Sequence, residues 1–338
     1  MQIKPDFSLK NHNSFGIDAK AEYFVAVETV DELKEVLQLS GYSQKFVLGG
    51  GSNMLLKKDL HGLVINLNLK GIEVEREDED HVWLRAAAGE NWHDFVLYCV
   101  ANGYGGVENL ALIPGNLGTA PVQNIGAYGV ELKDTFESCE VVYHKTQEIK
   151  TLTNAACIFG YRDSIFKQEY KDQYIIISVL FKLTKRNHKL HTSYGDIQKI
   201  LDERSIEKPS LQDIADAVIF IRQQKLPDPK KIGNSGSFFK NPVVERKKLT
   251  AIQKKNPNVP FYEMGNDLVK IPAGWLIEQA GLKGKRFGNA GVHDRQALVL
   301  VNHGGATGDE IWNVALEVQK AVQNKFEIVL QPEVNIIG

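Results

Sequence analysis

Apolar positions recur along this chain at two spacings, and the switches between them mark out its elements. Tyr23–Val27 alternates as a strand. Thr29 and Glu32 then have the spacing of a capping box, Leu33, Val36 and Leu37 give one apolar stripe, and Gly41 is the expected stop. Phe46-Val47-Leu48 is a short β-prone run that enters three glycines, and Leu63–Leu67 is a further strand. From Val82 the pattern is again a strand, followed by a helix from Trp92 to about Ala101. Strands follow around Glu140–Tyr143 and Tyr174–Leu183. Residues 185–210 are polar and turn-rich, which suggests a linker or excursion with a boundary near 200. Ser210 caps a helix whose face carries Ile214, Ala217, Val218 and Ile221, stopped by Leu226-Pro227-Asp228-Pro229. Pro272–Gly281 is a short helix, Ala297–Asn302 a strand, and Thr307 with Glu310 caps a long helix carrying Ile311, Val314, Ala315, Val318 and Val322. The pattern over Phe326–Ile337 is that of a strand, with Gln331-Pro332-Glu333 inside it.

Composition narrows the class. At 338 residues the chain suits two or three domains. Lys+Arg 40 against Asp+Glu 42 gives a net charge of −2, which argues against a sequence-independent nucleic-acid binder. The acidic run Glu73–Asp80 fits a solvated hairpin. Cys99, Cys139 and Cys157 are odd in number and lack metal-ligand spacing, so reduced thiols and no structural metal are expected. The N-terminus shows no signal-peptide pattern, and the longest apolar run, Ile175–Phe181 with Ser178 inside, is too short to span a bilayer. A cytoplasmic protein without a membrane partner is expected.

The candidate chemistry lies in glycine-rich loops. Gly49-Gly50-Gly51-Ser52-Asn53 could form a nest of backbone N–H groups for an anion, or a tight hairpin without a ligand. It is neither a dinucleotide fingerprint, since Met54 stands where the third glycine belongs, nor a P-loop, since Gly-Lys-Ser/Thr is absent. Ile113–Gly129 carries four glycines, two prolines and no charge, which suits either a wall for a flat ligand or a buried crossing between layers. Gly160-Tyr161-Arg162-Asp163-Ser164 offers a fixed cation that could pair with Asp163 or face a ligand oxygen. Gly233–Pro242 runs into Phe238 and Phe239, so it should be held by packing, which lets a loop aim a hydroxyl.

These loops, in this order and with Ala273–Gly284 and Gln331-Pro332-Glu333-Val334, resemble the UDP-N-acetylenolpyruvoylglucosamine reductase family over nearly the whole chain. The resemblance implies an α+β chain: a two-subdomain FAD-binding fold of the vanillyl-alcohol-oxidase type, with subdomains at 1–70 and 71–205, and a substrate-binding α+β domain at 206–338 whose last strand could pack back on the flavin domain. It implies that Gly49, Gly50, Gly51, Ser52 and Asn53 hold the FAD diphosphate. Pro114, Gly115, Gln123, Asn124, Ile125, Gly126, Ala127, Tyr128 and Gly129 would line the cofactor. By position Arg162, Ser237 and Glu333 match the family's catalytic residues, and Tyr194, Lys225 and Asn241 its substrate-binding ones. The Tyr194 excursion resembles the longer subclass, in which a tyrosine loop covers the substrate. Ser52 and Asn53 stand where flavin-linking relatives carry a histidine, so non-covalent FAD is expected.

The implied reaction is reduction of UDP-N-acetylglucosamine enolpyruvate to UDP-N-acetylmuramate in peptidoglycan precursor synthesis, and so in cell-wall biogenesis, cell shape and division. NADPH is the expected co-substrate, and the chain is expected to be a monomer. Arg162 would face charge developing toward the substrate carboxylate, Glu333 would act as or hold a donor beside it, and Ser237 would give a proton to C2. Another oxidoreductase of the same flavin fold, or a nucleotide-binding module without turnover, are the alternative readings.

Overall fold

The computed structural model describes residues 1–338, which fall into two compact units. One comprises Met1–Phe7, Ala21–Gly50 and Leu60–Gln224; the other comprises Ser8–Lys20, Gly51–Asp59 and Lys225–Gly338. Helices and strands occur in both, an α+β chain.

The first unit contains two sheets. The smaller orders its strands Lys4–Ser8, Lys20–Val27, Leu60–Leu67 and Lys45–Leu48, with Leu60–Leu67 parallel to both Lys20–Val27 and Lys45–Leu48. Helix Val30–Gln38 packs Leu33, Val36 and Leu37 on it. The larger sheet is antiparallel, in the order Ile149–Thr153, Phe136–Tyr143, Tyr174–Thr184, His81–Ala87 and Ile72–Glu77. Its strand Tyr174–Thr184 is buried without interruption from Ile175 to Phe181. Alternation disappears there because both faces are covered. Ile175 and Ile177 join the core under Val30–Gln38. Ile176, Val179 and Phe181 join a core shared with helices Trp92–Ala101 and Leu211–Lys225. Phe95 and Phe181 lie 4.8 Å apart in that core, and the Trp92 indole donates to Leu110 O at 2.9 Å. Edge strand Ile72–Glu77 is mostly exposed, the solvated hairpin expected of the acidic run.

In the second unit the long helix Gly308–Phe326 buries Ile311, Val314, Ala315, Val318, Val322 and Phe326. A reciprocal cap holds its start, with Thr307 Oγ1 accepting from Glu310 N and Glu310 Oε2 from Thr307 N. Short strands Arg286–Phe287, Ala290–Val292 and Leu300–Asn302 form one sheet, and Val243–Glu245, Leu268–Lys270 and Tyr262–Gly265 another. Strand Met54–Leu56 pairs in parallel with Asn335–Ile337.

Several elements depart from the sequence pattern. Phe326 closes the long helix and Glu327 leaves it at φ 52°, so only Asn335–Ile337 of the C-terminal stretch is a strand. Phe326 is four residues after Val322, and burying it extends the helical stripe by one turn. The first helix ends at Gln38, three residues before Gly41, because the Leu39 N–H turns back to Val36 O. Its Glu32 carboxylate accepts from Glu28 N, not from Thr29 N. Residues 185–210 contain a helix, Ile197–Glu203, with Ile197, Ile200 and Leu201 buried, and that segment belongs to the first unit. The strand expected at Ala297–Asn302 is confined to Leu300–Asn302. All three cysteines are buried and free.

Burial holds His93, His144, His293 and His303 below the usual imidazole value of 6.5. As pH falls through 6.5 the unfolded chain takes up protons that these folded side chains refuse, so stability drops. The melting temperature should therefore decrease between about pH 7.5 and about pH 5.5, before most carboxylates titrate. His93→Gln should remove part of that slope, and a flat profile in the unaltered protein would refute the assignment.

Candidate active site

The strand Lys45–Leu48 delivers the chain to the three glycines, and Asn66 Nδ2 donates to Leu48 O at 3.3 Å where it ends. None of the three tolerates a side chain. A Cβ on Gly49 would lie 2.6 Å from Thr119 Cγ2, and one on Gly50 would lie 2.7 Å from Asn116 Oδ1 and 3.1 Å from Gly115 Cα. Gly51 belongs to the second unit, where a Cβ would lie 2.0 Å from His12 O, and its φ is 59°. Thus Gly50 is small because the turn meets the backbone of Gly115 and Asn116, whereas Gly49 faces the Thr119 side chain. The 113–120 segment is itself pinned by Trp92 N to Gly115 O, Leu117 N to Glu90 O and Gly118 N to Ala88 O.

The rest of the uncharged wall is tied to the arginine turn. Gly160 and Asp163 exchange backbone bonds, leaving Tyr161 and Arg162 at the tip. Arg162 sits at φ 54°, a conformation that costs a non-glycine residue about 1–3 kcal/mol. Its Nη2 donates to Gly126 O at 2.6 Å. Asn124, fully buried at φ 43°, donates to Gly160 O and Glu131 Oε2 and accepts from Lys133 N, so its side chain is spent on the protein. Ser164 Oγ donates to Val122 O. Ile125 is buried, whereas Gln123, Gly126, Ala127 and Tyr128 are partly exposed and Gly129 is open to solvent. Pro114 is exposed and Gly115 partly so. Tyr194 is exposed and lies against this wall: a Cβ on Gly129 would be 3.4 Å from Tyr194 Cβ.

Arg222 is a second cation at this site that the sequence pattern did not single out. Its Nε donates to Leu112 O at 3.3 Å. Burial pushes its guanidinium down from the usual arginine value; Tyr128 opposes that shift and the like charge of Arg162 adds to it. The only signal in the sequence is an arginine directly after Ile221, on the buried side of its helix. Two guanidinium groups within electrostatic reach of one another make a positive locus beside an uncharged wall, which favours an anionic group.

The second unit gathers the other candidate residues. Phe238 and Phe239 are buried and make Ser237–Lys240 an extended segment between two others. On one side Ser237 bridges Val299 and Phe238 N donates to Leu298 O. On the other Glu333 N donates to Phe238 O and Lys240 N to Gln331 O, which brings Glu333 beside the Ser237 loop. Asn53 Nδ2 donates to Glu333 O at 3.4 Å, and Ser52 O accepts from Ser14 Oγ. Asn241 Oδ1 accepts from Ala273 N at the start of helix Ala273–Gln279. Lys225 is the exposed last residue of helix Leu211–Lys225. Asn302 also escaped notice in the sequence: it donates to Phe15 O and accepts from Gly304 N and Ala306 N, and its own N–H holds Gly233 O.

FAD fits these residues. The turn at 49–51 admits no side chain, the segment from Ile113 to Val130 holds no charge, and within it Gly126 and Ala127 are partly exposed and Gly129 exposed, so a flat ring can approach the backbone.

Comparison with known proteins agrees. Residues 228–337 match the family model described as "UDP-N-acetylenolpyruvoylglucosamine reductase, C-terminal domain", and residues 21–153 match that described as "FAD binding domain". The chain is 61% identical to the UDP-N-acetylenolpyruvoylglucosamine reductase of Flavobacterium johnsoniae and 48% identical to that of Amoebophilus asiaticus, each alignment covering 100% of both chains. A crystal structure of the enzyme of the same name from Thermus caldophilus superposes with a TM-score of 0.70 at 23% identity over 100% of both chains, a likeness of fold.

Gly50→Ala should destabilise the protein by about 1–3 kcal/mol, the range for overpacking a close contact. It should also weaken FAD binding by about ten-fold, read from flavin fluorescence on titration. Unchanged melting and unchanged affinity would show that the two loops can part without cost.

Proposed function

Because the chain belongs to the UDP-N-acetylenolpyruvoylglucosamine reductase family, we propose that it reduces UDP-N-acetylglucosamine enolpyruvate to UDP-N-acetylmuramate in peptidoglycan precursor synthesis, with FAD as non-covalent cofactor and NADPH as reductant. Within the site, the observation that carries this reading is the Arg162 guanidinium, fixed on Gly126 O of the uncharged wall and within electrostatic reach of Arg222.

When bound, FAD supplies the hydride that NADPH provides and that C3 of the enol ether receives. The residues of this chain do the rest. Arg162 grips the substrate carboxylate, toward which negative charge spreads as C3 is reduced. A planar cation already held in place needs no reorganisation as that charge develops. The strained backbone of Arg162 fits such preorganisation. Ser237 delivers the proton to C2, completing the addition of one hydride and one proton across the double bond. A hydroxyl is a weak acid, but a carbanion-like centre is basic, and the packed Phe238 and Phe239 hold the loop that aims it. Glu333, joined to that loop through its backbone, orients donors around the carboxylate. Lys225 and Asn241 bind the UDP moiety and Tyr194 covers it.

The same reading assigns residues 1–70 and 71–205 to FAD and 206–338 to the UDP-sugar. It takes the protein to be a cytoplasmic monomer with roles in cell shape and division. In support of a cytoplasmic site, no helix is long and apolar enough to cross a membrane.

Two outcomes check this proposal. The purified protein should be yellow, bleach with NADPH under anaerobic conditions and regain colour when the enol ether is added. Bleaching without recovery would overturn the substrate, and a colourless protein that FAD cannot reconstitute would overturn the whole reading. Ser237→Ala should leave flavin reduction by NADPH within about two-fold and slow reoxidation by substrate by about 10²–10⁴-fold. Equal losses in both half-reactions would remove Ser237 from its role.

A further inference from the structure

Between strand Tyr174–Thr184 and helix Ile197–Glu203 the chain makes an excursion without helix or strand, and Tyr194 lies on it. Such a segment has no ladder to hold it, so each anchor counts. At its start His188 Nδ1 lies 2.7 Å from Thr184 Oγ1. At its end Gln198 N donates to Thr192 O. In between, the Asn109 side chain reaches it from the interior. Asn109 is fully buried and donates both hydrogens of its Nδ2, one to His191 O at 2.8 Å and one to Tyr128 O at 3.1 Å. Both partners are carbonyls, so the amide fits in one orientation only. Its Oδ1 is buried and accepts no bond, which leaves those two donations to fix the side chain. Beyond the bonds the two loops interlock. A Cβ on Gly129 would lie 3.4 Å from Tyr194 Cβ, and one on Gly195 would lie 3.3 Å from Tyr128 Cδ1.

We propose that Asn109 is a positioning residue, whose single amide sets where Tyr194 stands over the Gln123–Gly129 turn by holding the backbone of Tyr128 and His191 together. The inference rests on the reading that Tyr194 covers the UDP-sugar, and it adds the part of the fold that determines how well Tyr194 can do so. His191 is three residues before the tyrosine, so the amide fixes the base of the excursion while the tip at Ser193–Gly195 is exposed. Flavin reduction by NADPH precedes any need for Tyr194. Asn109 should therefore govern capture of the UDP-sugar and leave that first half-reaction alone.

The test uses the full-length FAD-loaded protein. Asn109→Ala should raise the KM for UDP-N-acetylglucosamine enolpyruvate about ten-fold, with kcat and flavin reduction by NADPH within about two-fold. In a Tyr194→Ala background the same substitution should change KM by less than about two-fold, because the two residues act as one unit. A merely structural role would add its full effect in that background. Hydrogen exchange at residues 190–195 should quicken in Asn109→Ala without substrate. If Asn109→Ala does not fold, Gly195→Ala places a methyl against the Tyr128 ring from the exposed side and should raise KM in the same selective way. Additive KM effects, equal loss in both half-reactions, or exchange unchanged by Asn109→Ala would each overturn the proposal. Should the unaltered protein fail to turn over the UDP-sugar, the functional reading falls, and hydrogen exchange still decides whether Asn109 anchors the excursion.

Discussion

The close approach of bare backbone to bare backbone is the constraint on which both units depend. In the first, Gly50 meets Gly115 and Asn116, and Gly118 meets Ala88; in the second, Gly51 meets the carbonyl of His12 and Gly233 that of Phe15. Each contact lies at a distance where a single methyl would force the loops apart. Glycine in such places gives up more chain entropy on folding than any other residue. The return is that segments far apart in sequence share one surface without intervening side chains. The three consecutive glycines thus have separate reasons, Thr119 for Gly49, Asn116 for Gly50 and His12 for Gly51.

Loops that meet this way have few ladder partners, and buried asparagines supply them. An amide offers two donors and an acceptor on a short side chain, enough to satisfy several backbone groups at once. Asn13 binds Leu9 and Ile17; Asn124 binds Gly160 and Lys133; Asn234 binds Pro227, Ile232 and Gly236; Asn302 binds Phe15, Gly304 and Ala306. Each is a cross-link whose loss would leave buried backbone groups unsatisfied. These loops are therefore held by polar bonds inside the protein, which fix direction as apolar packing alone does not.

The regular elements were the most legible. Helix Gly308–Phe326 announces itself because an apolar stripe and a cap agree. The stretch from Phe326 misled because an aromatic and β-branched run has strand propensity, while the preceding stripe still had one helical turn to complete. The assembly of the second unit from three separate stretches has no local signature, since no window of sequence contains two of them. Arg162, Ser237 and Glu333 stand on distinctive loops, yet the roles proposed for them rest on family resemblance; that Arg162 would sit in a strained conformation against Gly126 O could not be read from its neighbours. Asn109 and Arg222 left fainter traces, a polar residue within an apolar stretch and a charge beside a buried helix face, patterns that surface residues also produce.

The parallel pair Met54–Leu56 and Asn335–Ile337 sets the schedule of biosynthesis. Asn335 hydrogen-bonds Asn53 from 282 residues further along the chain. At ribosomal speeds of about 5–20 residues per second, the earlier strand waits roughly 15–55 s for its partner. Throughout that interval a wholly apolar Met-Leu-Leu segment lacks the strand that pairs with it in the finished fold, a condition that favours association with other chains. For this protein the pairing of residues 54–56 is complete only once synthesis has passed residue 337.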